Sequence, residues 1–146
     1  MTTANHLLAG TILALTIKEP ALVLPLAFLS HFLLDALPHY GHDGYGEAFR
    51  HKETLIMELL GLIGIAALLS AGVYGWNLAL LAAVVAVSPD FEWPFRYFLF
   101  ERRGKPPFKT PLTRIHKNIQ WCERNWAMTV EVGFFVAAYL WLLELQ

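Results

Sequence analysis

The stretch ALVLPLAFLSHFLLDALP, Ala21 to Pro38, sets the architecture. It is apolar all round rather than striped, yet it carries His31 and Asp35 in its second half. A helix without a polar face is buried either in a large core or in lipid. Four other stretches read the same way: Asn5–Ile17, Leu55–Tyr74, Trp76–Ser88 and Trp126–Leu145. A chain of 146 residues cannot enclose five such helices in a protein core, so lipid is the better solvent. Charged residues make up only 16%, against about 25% in a typical soluble domain. The mean hydropathy is +0.45. The expected fold is therefore all-α: a small integral membrane helical bundle of about five apolar helices, forming a single domain over residues 1–146.

Composition removes several function classes. The formal charge of −1 argues against nucleic-acid binding by bulk positive charge. Cys122 is the single cysteine, which excludes a disulfide scaffold. The opening residues MTTANH carry no Lys or Arg, so a cleaved signal peptide is not expected.

Basic residues give the orientation. Eight of the eleven fall between Asp90 and Arg124, and Arg50 and Lys52 precede the third stretch. The positive-inside rule puts both loops in the cytoplasm. Alternation then predicts a multi-pass protein of the inner membrane with a cytoplasmic N-terminus and an external Lys18-Glu19-Pro20 turn. Within the basic loop, FEWPFRYFLF (Phe91–Phe100) reads as an interfacial aromatic belt. RRGKPPFKTP (Arg102–Pro111) is a break rich in Gly and Pro. Thr110 or Thr113 is expected to cap a short helix that runs on into the last span.

The chemistry lies in the histidines, five of which fall in the first 51 residues. His31 and Asp35 are four apart and share a helical face, a spacing that lets imidazole and carboxylate hold one divalent ion. The alternative is a buried His–Asp hydrogen bond that steadies the bundle. His39 lies another four residues on, although Pro38 disfavours helical geometry before it. His6 opens the first stretch, and Asp90 closes the fourth in SPDFEW. By the charge argument all these ends share the cytoplasmic face. His6, His31, Asp35, His39 and Asp90 are the leading metal ligands, with His51 and His116 as further candidates. This N/O set suits zinc, as one or two ions, better than magnesium or calcium. Glu53 and Glu58 open the third stretch at the same face and are candidates for a general base. Arg96 is the candidate for holding a substrate phosphate; otherwise it is an ordinary snorkelling cation.

The residues NHLLAG (Asn5–Gly10), SHFLLD (Ser30–Asp35) and Pro89-Asp90 resemble the membrane-bound metal-dependent hydrolase family of the LexA-regulated inner-membrane protein type. That family shows a Thr-His start, a Pro-Asp element, an HR…THS element and a Ser-His-x-x-x-Asp helix. His6, Asp90 and the His31–Asp35 pair match these motifs. RHKET (Arg50–Thr54) echoes the HR…THS element through His51 and Thr54. The motif order differs, because Ser-His-x-x-x-Asp precedes Pro-Asp here. His-x-x-x-Asp alone also resembles the zinc-dependent phospholipases C. The resemblance implies a metal-dependent hydrolase at the cytoplasmic membrane face, acting on a lipid or small phosphoester through metal-activated water. Two other classes would use some of the same residues. A metal or proton transporter would carry intramembrane His and Asp across the whole bilayer. A non-catalytic membrane adaptor would use the basic loop and keep the metal as a structural staple.

Overall fold

The computed structural model describes residues 1–40, 76–106 and 109–145, and positions 56, 58, 59 and 63. Most of the third apolar stretch, with His51 and Glu53, lies outside these residues, so those two candidates are not placed. Among the described residues the chain is helical and has no strand. The helices are α1 (Thr3–Ile17), α2 (Pro20–Asp35), α3 (Trp76–Val87), α4 (Glu92–Leu99), α5 (Pro111–Ile119) and α6 (Met128–Glu144).

The connections reflect local chemistry. Lys18 ends α1 in the left-handed region at φ 61°, and Pro20 starts α2, where its missing N–H costs nothing. A 3-10 turn, Ser88–Phe91, joins α3 to α4. The resulting run Asn77–Leu99 has 23 residues and is long and apolar enough to cross a membrane. The aromatic stretch expected to lie as a belt beyond the fourth span is therefore part of that run. Asp90 lies in the 3-10 turn that closes α3, as expected, and the run continues past it into α4. Among the described residues this run alone meets that length and composition; α1 and α2 are shorter apolar helices.

Thr110 caps α5, accepting from the Thr113 amide while the Thr113 hydroxyl accepts from the Thr110 amide. The helix does not run on into α6, as the sequence suggested. It stops at Ile119, because the chain turns to pair with the residues after α2: His39 N–H donates to Cys122 O at 3.3 Å and Arg124 N–H to His39 O at 3.1 Å. Trp121 Nε1 adds a bond to Ala36 O at 3.0 Å.

The core is built from small residues and polar groups. α1 packs chiefly on α3, and also on α2 and α6. Ala14, Val23, Ala27, Ala79, Ala82 and Ala86 form one buried cluster where α1, α2 and α3 meet. Small side chains let helix backbones approach closely, which is how helices associate in lipid. Gly10 shows how close: a Cβ there would lie 2.5 Å from Ala82 O and 2.9 Å from the Ala83 Cα. Both obstacles are backbone, so the helices would have to separate. Gly10→Val is expected to lower stability in detergent by about 1–3 kcal/mol, the usual cost of overpacking. A thermal-unfolding midpoint unchanged from the parent would refute this packing.

Large apolar residues face outward. Leu22, Leu26, Leu29 and Leu33 form an exposed stripe along α2, and Val132, Val136, Leu140 and Trp141 are exposed on α6. Asn5, His6, Thr11, His31, Asp35 and Glu131 are buried instead. The hydroxyls of Thr11, Thr16 and Ser30 donate back to Leu7 O, Ile12 O and Ala27 O. Hydroxyls bond to their own helix in this way where water is scarce.

Candidate metal centre

Four ligand side chains from three elements meet at one point. His31 and Asp35 come from the last turn and a half of α2, Asp90 from the 3-10 turn after α3, and His116 from α5. One ligand atom from each lies within 4.8 Å of all the others. His31 Nε2 is 3.3 Å from Asp35 Oδ2 and 3.5 Å from Asp90 Oδ1. His116 Nε2 is 3.4 Å and 3.8 Å from the same two oxygens. The two Nε2 atoms are 2.7 Å apart. Ligands at about 2.1 Å on a tetrahedral ion are separated by about 3.4 Å. The nitrogen–oxygen distances fit such a tetrahedron, and the nitrogen–nitrogen distance is tighter.

The orientation of His31 is fixed from behind. Its Nδ1 lies 2.8 Å from Ala86 O. A carbonyl only accepts, so Nδ1 carries a proton and donates it to Ala86 O, which leaves Nε2 as the atom turned toward the cluster. That Nε2 faces two carboxylate oxygens and the Nε2 of His116. A ring nitrogen bonded to a backbone carbonyl behind a ligating nitrogen is the usual support of a metal-bound histidine. Among the described residues, these four could hold a metal ion.

α5 brings His116 in because α4 holds it. Glu92 accepts from the hydroxyls of Thr110 and Thr113, which anchors the first turn of α5. His116 lies three residues beyond Thr113, on the same face. Beside it is a narrow hollow lined by Glu92, Trp93, Arg96, Thr113 and His116. Arg96 is only 4% exposed, and its guanidinium lies 6.0 Å from the Trp93 ring centre.

Asp35 also serves a second group of atoms. Its Oδ1 lies 3.1 Å from His6 Nε2 and 2.5 Å from the α-ammonium of Met1. Burial works against charge on that ammonium, but Asp35 and Glu131 more than offset it and raise its pKa above the ordinary 8.0. His6 and His31 stack with ring centres 4.0 Å apart.

Other candidates have different tasks. His39 does not extend the His31–Asp35 face, because α2 ends at Asp35 and Pro38 turns the chain away. Its Nδ1 donates to Leu37 O at 2.8 Å, and its Nε2 faces Glu123 Oε1 at 3.6 Å. Glu58, read as a general base, accepts from the Thr3 amide with both oxygens at 3.0 and 3.2 Å. It supplies negative charge where α1 begins.

Sequence reasoning passed over Glu131. This carboxylate is buried in α6 and accepts from the Thr2 amide, Asn5 Nδ2 and the Tyr40 amide. It ties α6 to the start of α1 and to the segment after α2. The signal for it was an acidic residue inside an apolar stretch, which is costly unless it has a task. Glu123 gave no such signal, since it lies among other polar residues, and Glu92, between Phe91 and Trp93, read as part of the aromatic belt. No protein-family model, curated protein or solved structure matches the chain.

Proposed function

We propose that the protein is a metal-dependent hydrolase of the cytoplasmic membrane face, with a zinc-like divalent ion held by His31, Asp35, Asp90 and His116. The observation that carries this reading is the His31 ring. Its Nδ1 donates to Ala86 O, which fixes the ring and turns Nε2 toward the carboxylates of Asp35 and Asp90. These four residues would hold the ion, and the chemistry supplied there would be polarisation of a phosphoryl oxygen and activation of water.

The chain's own residues supply the rest. Asp90 is 23% exposed, whereas His31, Asp35 and His116 are 0–2% exposed, so substrate approaches from the Asp90 side. Arg96, buried beside Trp93 and next to His116, is the cation that would meet an anionic oxygen of the substrate. The substrate class is a phosphoester, either a membrane lipid or a small molecule. The outward stripes of Leu and Val and the Asn77–Leu99 run support a multi-pass bundle in the inner membrane. The basic segment after Asp90 suits its cytoplasmic side.

The test uses full-length protein purified in mild detergent. Elemental analysis is expected to find bound divalent metal, and a panel of lipid and soluble phosphoesters is expected to contain a substrate. Arg96→Gln should raise KM about tenfold or more with kcat nearly unchanged, the signature of lost uniform binding. Tight metal binding with no panel member cleaved would favour a structural staple in a membrane adaptor. Absence of metal after zinc addition would overturn the reading.

A further inference from the structure

Asp35 has positive or donor groups on both of its oxygens, and they come from opposite sides. On Oδ2 lie His31 and His116, each through Nε2. On Oδ1 lie His6 Nε2 and the Met1 ammonium. His6 is fully buried; its Nδ1 has no hydrogen-bond partner, and its Nε2 faces Asp35 Oδ1 without the geometry of a good hydrogen bond. A buried ring nitrogen without a good hydrogen bond is costly unless something else satisfies it. The distance from Nε2 to the carboxylate oxygen is 3.1 Å.

We infer that Asp35 bridges two divalent ions, the second lying between His6 Nε2 and Asp35 Oδ1. The inference rests on the metal reading of the first site and extends it. The ring stack supplies the spacing. His6 and His31 are nearly parallel, with an interplanar angle of 21° and centres 4.0 Å apart. Their Nε2 atoms point to different oxygens of one carboxylate. Ions on two such nitrogens sit about as far apart as the rings do, and two-metal hydrolases hold their ions about 3.5–4 Å apart. The Met1 ammonium marks the same place as one that calls for positive charge. The two ions would bind the two non-bridging oxygens of a phosphoester, which ties the substrate class to an in-line displacement at phosphorus.

The experiment loads metal-stripped, full-length protein in detergent with Zn²⁺ or Mn²⁺ alone. Elemental analysis should give two ions per chain for the parent and one for His6→Gln. Paramagnetic resonance of the Mn²⁺ form should show an exchange-coupled pair in the parent and an isolated ion in His6→Gln. The parent measurements stand alone if the variant does not fold. One uncoupled ion in the parent would overturn the second site and leave the first intact, with the ammonium alone meeting Oδ1. No bound ion at all would overturn both sites.

Discussion

Asp35→Ala is expected to abolish metal binding by the cluster and to unfold much of the end of the bundle where α1 begins and α2 stops: this is the largest effect expected of any single change. Four groups converge on this carboxylate, namely His6, His31, His116 and the Met1 ammonium. Loss of a residue that merely supports a ligand costs about 10–100-fold in metal affinity, so loss of the ligand shared by all should cost more than about 100-fold. It also removes the carboxylate that contacts the buried Met1 ammonium directly, leaving Glu131 to offset its burial. Asp35→Asn keeps the volume and separates the two effects. It should fold in detergent yet bind metal weakly and show no turnover. In the parent, a chelator should lower the unfolding midpoint, because an ion at about 1,000 times its dissociation constant adds about 4 kcal/mol of stability. In Asp35→Asn the midpoint should not respond to chelator. A parent midpoint that is equally indifferent would argue that no ion helps hold the cluster's elements together.

Glu131→Leu is expected to have the second largest effect, although Glu131 lies outside the metal centre. Three donors from two segments end on its carboxylate: the Thr2 amide, Asn5 Nδ2 and the Tyr40 amide. Each buried donor left unsatisfied costs about 1–3 kcal/mol. The sum is several kcal/mol, a large share of the stability of a small domain. The start of α1 should then detach, and His6 with it. Glu131→Gln keeps one acceptor oxygen and should recover part of the loss. Thermal unfolding in detergent gives the stability, and zinc titration shows whether the metal centre loosens as α1 does. Full stability in Glu131→Leu would mean that the start of α1 is held by Glu58 and Asp35 alone.

Composition and short-range spacing were enough for the helical class and for half of the cluster. Stretches of Leu, Ala, Ile and Val without a polar face can only be apolar helices, and such helices are what the described residues form. The i, i+4 spacing of His31 and Asp35 puts both on one helical face wherever α2 lies. Thr110 followed by Pro111 and Thr113 is a local capping signal, and α5 begins there.

The other half depends on partners far apart in the chain, and only the packed helices bring those together. His116 is 85 residues from His31 in sequence, and its place in the cluster depends on Glu92 holding the first turn of α5. Nothing in the residues around His116 encodes that. His39 continues the spacing of His31 and Asp35, but Pro38 already argues against a continued helix, and α2 does stop at Asp35. Glu58 and Glu131 are both acidic residues in apolar stretches. Sequence marks each as costly, but only the fold shows that they receive the amides at the start of α1. The role of Ala86 is the least legible of all. Its side chain says nothing about the metal centre, and its backbone carbonyl fixes which nitrogen of His31 turns toward the cluster. Backbone groups are the same at every residue, so only the packing of α2 against α3 could select this one.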